Sequence, residues 1–158
     1  MRDSDLDEFF DQQRDPAANQ MAAFTAAEPA DRTAFMVRWV RLRGDSTITI
    51  KTILVGDDIA GHILSYQEDE PREISYWIAR EYWGRGIATR ALTAFLKLER
   101  TRPLAARVVT DNHGSRRVLE KCGFVIVGSD RGFANARGKE VDELILVLRD
   151  SSTATLVD

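Results

Sequence analysis

The chain has 158 residues, 44% of them apolar, and a formal charge of −3. That is enough for one compact core and too little chain for two comfortable domains, and the acidic balance gives no sequence-wide basic footprint for a nucleic-acid partner. No apolar run approaches the roughly 18 residues of a membrane span, and the acidic opening MRDSDLDEFF is unlike a signal peptide, so the expected location is cytoplasmic. Cys122 is alone, which excludes an intramolecular disulfide, and with only His62 and His113 beside it no zinc site is expected.

In chain order, Leu6, Phe9 and Phe10 are spaced for one face of a first helix, with Ser4 or Asp5 as its cap. Pro16 ends that helix or restarts it, and DPAANQMAAF predicts a short second helix with Met21 and Phe24 on one side. In PADRTAFMVRWVRLRG, Asp31 can cap a third helix, Phe35, Met36, Trp39, Val40 and Leu42 form its stripe, and Gly44 stops it. These helices are expected to cover one sheet face. From Thr47 the period becomes alternating: TITIKTILV and IAGHILSYQ flank the turn GDD, and ISYWIA follows the charged loop EDEPRE as a third antiparallel strand.

Next comes a glycine-rich turn, YWGRG, and a helix on which Ile87, Ala91, Leu92, Phe95 and Leu98 recur at three and four. LAARVVT is expected to return parallel to ISYWIA by a right-handed crossover. SRRVLEKCG is a short helix ended by Gly123, FVIVGS and VDELILVLR form a final antiparallel pair, DRGFANARGKEVDE is a loop before the last strand, and SSTATLVD is a frayed tail. The fold class is α+β: a single domain over residues 1–150, with a mixed, mostly antiparallel central sheet flanked by helices, and a tail over 151–158.

A strand, a glycine turn and a helix N-terminus together present free backbone N–H groups at the positive end of a helix dipole, where phosphate is the natural guest. Arg85 adds a cation between the glycines, and Arg90 follows a turn later. A nucleotide, a dinucleotide, coenzyme A and a plain structural corner all remain open at this point. For a dinucleotide, Gly84 and Gly86 fit the spacing and Asp111 could meet a ribose, but Thr89 replaces the third glycine and the preceding strands read as an antiparallel meander. A Walker loop is excluded, because no Gly-Lys-Ser/Thr follows.

The stretch DNHGSRRVLEKCGF carries a second motif, N-x-x-S-x-x-V-L-E-K-x-G-F, from Asn112 to Phe124. Together with YWGRGIAT it resembles the GNAT family of acetyl-coenzyme A dependent N-acetyltransferases, in particular the branch that acetylates ribosomal-protein N-termini. The two motifs cover the second half of the chain, whereas the N-terminal third is similar only in being helical. The resemblance implies that acetyl-coenzyme A is the acetyl donor and that the backbone of Gly84, Arg85, Gly86, Ile87 and Ala88 takes its pyrophosphate. Trp83 stands where many members carry Gln or Arg. Tyr76, Trp77 and Ile78 would pair with the pantetheine arm, in a gap where their strand and LAARVVT splay apart. Asn112 would hydrogen-bond the pantetheine, and Arg116 or Arg117 would meet the 3′-phosphate.

Ser115 would sit near the thioester sulfur as the general acid, with a plain helix N-cap as its alternative role. Many members use a tyrosine four positions later, but Leu119 occupies that place here. Glu73 matches a position where the family often carries a carboxylate base, with a structural or substrate-orienting role as the alternative. His62 is a rival base, Glu68, Asp69 and Glu70 read as a solvated loop, and Tyr66 and Tyr76 line the acceptor site or cover the sheet. Trp39 and Trp77 read as core or cleft walls, and Cys122 as packing rather than a nucleophile.

Members usually open on a short strand that this chain lacks, which leaves a sheet edge exposed and favours a homodimer. The expected function is acetyl transfer from acetyl-coenzyme A to a primary amine, on a small molecule or a peptide N-terminus, by direct attack in a ternary complex. A catalytically idle acetyl-coenzyme A binder or sensor is the alternative. No metal, nucleic acid or membrane is expected.

Overall fold

The computed structural model describes residues 1–150, so the expected tail SSTATLVD lies outside the described residues. Three helices come first: α1 (Asp5–Gln13), α2 (Pro16–Ala22) and α3 (Arg32–Gly44). Ser4 makes no cap bond on α1. Instead the buried Asp5 carboxylate accepts from the Arg2 backbone N–H at 2.8 Å and the Thr52 hydroxyl at 2.7 Å, which ties the helix to the sheet. Pro16 starts α2, where its missing N–H costs nothing, and Asp15 caps by accepting from Ala17. Phe24 falls beyond the end of that helix. Asp31 caps α3 through the Ala34 N–H as expected, and Phe35 and Trp39 are buried, but Val40 is 65% exposed. The seam that α3 presents to the sheet is narrower than the five-residue stripe, and the helical turn carries Val40 round to solvent.

The sheet has six strands: β1 (Thr49–Val55), β2 (Asp58–Tyr66), β3 (Arg72–Ile78), β4 (Leu104–Val109), β5 (Val125–Ala134) and β6 (Lys139–Leu148), in the order β1-β2-β3-β4-β6-β5. All neighbours are antiparallel except β3 and β4. The final pair runs well past FVIVGS, and Asp130–Ala134 and Lys139–Asp142 belong to strands rather than to a loop. Residues whose side chains stay solvated still satisfy their backbone by pairing, so a polar sequence there does not signal a loop. Between β3 and β4 lie a 3₁₀ turn (Arg80–Tyr82) and α4 (Ile87–Phe95), which ends early enough to leave Leu98 62% exposed. The ninth-residue limit of α5 (His113–Lys121) precedes Gly123, whose positive φ of 95° suits the turn into β5.

The two sheet faces differ. On one, α4 and α5 pack with Ile53, Ile63, Ile74, Leu92, Phe95, Leu104, Leu119, Phe124 and Leu146. On the other, α1 and α3 press Phe9, Phe10, Phe35 and Trp39 against Leu64. No helix among the described residues is long and apolar enough to cross a membrane.

β3 and β4 pair only at Arg72↔Leu104 and Glu73↔Ala105, and then part. Below that junction sits a buried polar knot. Glu99 accepts from the Ser65 hydroxyl at 2.6 Å, Arg72 Nε at 3.1 Å and the Thr101 N–H at 3.1 Å, while Arg72 also donates to the Thr47 and Ser65 carbonyls. Burial alone would raise the Glu99 pKa, but the bonds from Ser65, Thr101 and Arg72 outweigh it and hold the carboxyl at about 2. Because the folded pKa is depressed, this contribution to stability is complete above about pH 5 and is lost as pH falls toward the folded value. Glu99→Ala should therefore cost about 3–5 kcal/mol near neutral pH by urea denaturation, since it strands a buried guanidinium. The gap from wild type should shrink steadily on acidification, and an equal loss at every pH would count against the assignment.

Candidate active site

The turn after β3 is built by two glycines. Gly84 and Gly86 have φ of 71° and 73°, which disfavours any side chain, and a Cβ on either would meet open space. Gly86 takes the cap position of α4 without a side-chain cap bond, and the first-turn N–H groups of Ile87, Ala88 and Thr89 find no acceptor among the described residues. Arg85 does not reach into this space, because its guanidinium lies over the Tyr82 ring, 5.3 Å from the centroid. The Trp83 indole donates to the Ile78 carbonyl at 2.8 Å, so part of the Ile78 backbone is already used.

In front of the turn lies a cavity of about 440 Å³, walled by Tyr76, Trp77 and Ile78 of β3 and by Asn112, Ser115, Arg117 and Lys121 at α5. Asn112, not Ser115, is the N-cap of α5, because its Oδ1 accepts from the Ser115 N–H at 3.2 Å. The Asn112 amide nitrogen has no acceptor among the described residues and remains available to a ligand. Freed from capping, the Ser115 hydroxyl lies 2.7 Å from the Tyr76 hydroxyl. Of the two expected arginines, Arg116 pairs with Glu120 at 3.0 Å and only Arg117 lines the cavity.

A second cavity, about 870 Å³, opens on the opposite face between α3 and the sheet, and it too is walled by Tyr76, Trp77, Asn112 and Ser115. The two meet where β3 and β4 part. Its polar floor is a cluster on four strands, β2, β3, β4 and β6: Glu73 accepts from the Tyr66 hydroxyl at 2.8 Å and from Arg107 Nε at 3.1 Å, while Arg107 also donates to Glu143 at 2.8 Å and, outside the cavity, to Asp130 on β5 at 3.1 Å. The bond to Glu143, then those to Glu73 and Asp130, raise the Arg107 pKa further above its ordinary value. Burial and the neighbouring Glu73 raise that of Tyr66. Arg38 and Arg41 of α3 also line the cavity, but with Asp45, Glu68, Asp69, Glu70, Glu73 and Glu143 its carboxylates outnumber its three guanidinium groups. Glu68, Asp69 and Glu70 are exposed at its rim, as expected of a solvated loop.

His62 also lines this cleft but packs on Phe9 at 4.8 Å and Trp39 at 5.0 Å. Burial and the Arg38 charge push its pKa down to about 3, which makes it a weaker proton acceptor near neutral pH than a free imidazole. Cys122 lies on the helix side, half-buried near the Thr93 hydroxyl and the Thr89 carbonyl, and lines neither cavity. Asp111 is held by Arg137 through two bonds of 2.6 and 2.8 Å, which depress its pKa and take it out of reach of a ribose. With an antiparallel meander before the turn, the dinucleotide reading has no support left.

A family model for the acetyltransferase (GNAT) domain matches residues 1–125. The chain belongs to the GNAT family. Its fold supports this independently: RimJ of Mycobacterium smegmatis, solved in complex with CoA-disulfide, superposes on this GNAT chain with a TM-score of 0.81 at 20% identity, over 98% of this chain and 82% of RimJ. The ribosomal-protein-alanine N-acetyltransferase of Brucella melitensis gives 0.79 at 18% identity, over 95% and 97%. In sequence, YdaF of Bacillus subtilis (strain 168), provisionally named a ribosomal N-acetyltransferase, is 31% identical over 119 residues. That match spans 70% of this chain and 64% of YdaF, just under two thirds of the relative's length.

Arg107 and the Tyr76 hydroxyl were missed in the sequence, although a lone arginine in the strand LAARVVT was a visible signal. The cap assignment gives a direct check. Asn112→Ala should cost about 1 kcal/mol of stability, whereas Asn112→Asp should retain it, both measured by thermal melting. An Asn112→Ala protein as stable as wild type would contradict the cap.

Proposed function

We propose that this chain is an N-acetyltransferase that moves the acetyl group of acetyl-coenzyme A to a primary amine by direct attack. One observation carries the reading: two cavities on opposite sheet faces share the walls Tyr76, Trp77, Asn112 and Ser115, beside the gap between β3 and β4. A donor entering by the glycine turn and an acceptor entering by the acidic cleft can therefore touch each other without a carrier. The absence of Cys122 from both linings favours direct attack over an acyl-enzyme.

The residues fit the donor. Open space before Gly84 and Gly86, unpaired N–H groups of Ile87, Ala88 and Thr89, and the cations Arg117 and Lys121 suit a pyrophosphate and a third phosphate. The far half of β3, Tyr76 to Ile78, which pairs with β2 but not with β4, and the free Asn112 amide suit an extended amide-bearing arm.

In the transfer the amine nitrogen forms a bond to the carbonyl carbon, the carbon–sulfur bond breaks, and its electron pair stays on sulfur. Starting from the ammonium, the nitrogen gives up two protons: the first leaves through water toward Glu73 and solvent before attack, and the second, released as the amide forms, replaces the one that Ser115 hands to the sulfur. Ser115 meets the sulfur with its hydroxyl as the acid, and Glu73, fixed by Tyr66 and Arg107, draws in the ammonium and receives its proton through water. Three arginines, Arg38, Arg41 and Arg107, line this cavity against six carboxylates, Asp45, Glu68, Asp69, Glu70, Glu73 and Glu143, a negative balance that favours a cationic acceptor, either a small polyamine or a peptide N-terminus. A sensor without turnover would need neither this open cleft nor a hydroxyl at the junction.

Titration calorimetry with acetyl-coenzyme A tests the donor site. Binding should be micromolar and should weaken by about a hundredfold, about 2.7 kcal/mol, in Gly86→Glu, which places a carboxylate where phosphate belongs. Gly138→Glu, at another positive-φ glycine in the distant β5–β6 turn, should bind as wild type does. Equal affinity in all three proteins would refute the phosphate turn. Thiol release on a panel of cationic amines should then show turnover, and Ser115→Ala should lower kcat roughly 10²-fold.

A further inference from the structure

We propose that Tyr76 is a positioning residue for acetyl transfer: its phenol donates to the Ser115 hydroxyl and so turns the serine proton toward the leaving sulfur. This rests on the function proposed above and adds to it a group on the opposite wall of the gap. Ser115 stands in the first turn of α5, its backbone fixed by the Asn112 cap, but a cap does not set the direction of a hydroxyl proton. That direction is set by what the hydroxyl oxygen accepts, and among the described residues its one side-chain partner is Tyr76, 2.7 Å away.

The pair has a preferred polarity. A phenol is a far stronger acid than an aliphatic alcohol, so the tyrosine is the better donor and the serine the better acceptor. The other acceptor in reach of the phenol, the Ser115 carbonyl, is 3.4 Å away and makes the weaker bond. The rest of the ring packs into the apolar layer under α4 and α5, where Tyr76 has no charged neighbour and Cys122 is the one other titratable group acting on it. With Tyr76 donating, the serine proton has no protein acceptor and points into the space shared by the two cavities.

Tyr76 acts through Ser115 and not as an acid itself. Burial pushes its pKa up to about 12. Its hydroxyl is engaged by Ser115 Oγ, so the developing thiolate meets it only through the serine, whose hydrogen bond to the sulfur is strengthened by the tyrosine behind it. One turn further along α5, Leu119 is apolar and 1% exposed, so the helix supplies no second hydroxyl at that level.

The test reads the thiol of bound coenzyme A, which requires no knowledge of the acceptor. The protein is saturated with free coenzyme A, as checked by calorimetry, and thiolate absorbance in the far ultraviolet is followed against pH with the ligand-free protein as reference. In the wild type the bound thiol should titrate below the free one. Ser115→Ala and Tyr76→Phe, the latter keeping the ring and its packing, should each raise the bound pKa by about one unit, the worth of one hydrogen bond to an anion. The double variant should go no higher than Ser115→Ala alone. With any amine that turns over, Tyr76→Phe should lower kcat about tenfold and leave KM for acetyl-coenzyme A unchanged.

A wild-type pKa in Tyr76→Phe beside a shifted one in Ser115→Ala would overturn the positioning role and leave the functional reading standing. Additive shifts in the double variant would likewise overturn it, since they would mean that Tyr76 acts independently. Failure of the wild type to bind coenzyme A would overturn both.

Discussion

The site depends on one constraint, the parting of β3 and β4. A parallel pair should continue its ladder for the length of the shorter strand, and here it stops after two residue pairs. Its closed end is locked by the buried Arg72–Glu99–Ser65 knot, and its open end diverges into the glycine turn on one side and the N-terminus of α5 on the other. Backbone groups left unpaired inside a sheet are costly unless something else satisfies them. The fold thus holds open a strip of donors and acceptors that fits an extended ligand, and an opening that connects the two faces of the sheet.

That opening separates two environments. The helix-covered side is apolar apart from the turn, its free N–H groups, and the cations Arg117 and Lys121, and so it favours an anion. The other side sets the six carboxylates Asp45, Glu68, Asp69, Glu70, Glu73 and Glu143 against Arg38, Arg41 and Arg107, and this balance favours a cation. In the proposed transfer, charge would sort donor from acceptor before they meet, and the residues common to both cavities, Ala22, Asn112, Ser115, Tyr76 and Trp77, are all neutral. Position rather than a strongly activated nucleophile is what such a site can supply.

Much of this was legible in the sequence. The cap Asp31, Pro16 at the start of the second helix, the hairpin at Gly56, the glycine turn and the motif from Asn112 to Phe124 are local signals, and each placed its element closely. What failed depended on distant partners. Val40 reads as apolar stripe until the orientation of α3 on the sheet is known, and Asp130–Ala134 reads as loop until β6 is seen to pair with it. The Tyr76–Ser115 contact spans 39 residues, and Arg107 gathers carboxylates from three other strands. No periodicity or spacing encodes such meetings. Ser115 was offered two roles, and the structure gave the cap to Asn112 because its side chain, one turn earlier, reaches the exposed N–H first.

A crystal structure of the chain with coenzyme A tests the central claim most directly. The account predicts the pantetheine arm lying between β3 and β4 against the backbone of Tyr76 to Ile78, with its sulfur in hydrogen-bond reach of Ser115 Oγ. Coenzyme bound elsewhere, or strands β3 and β4 closed into a continuous parallel ladder through Ile78, would contradict it.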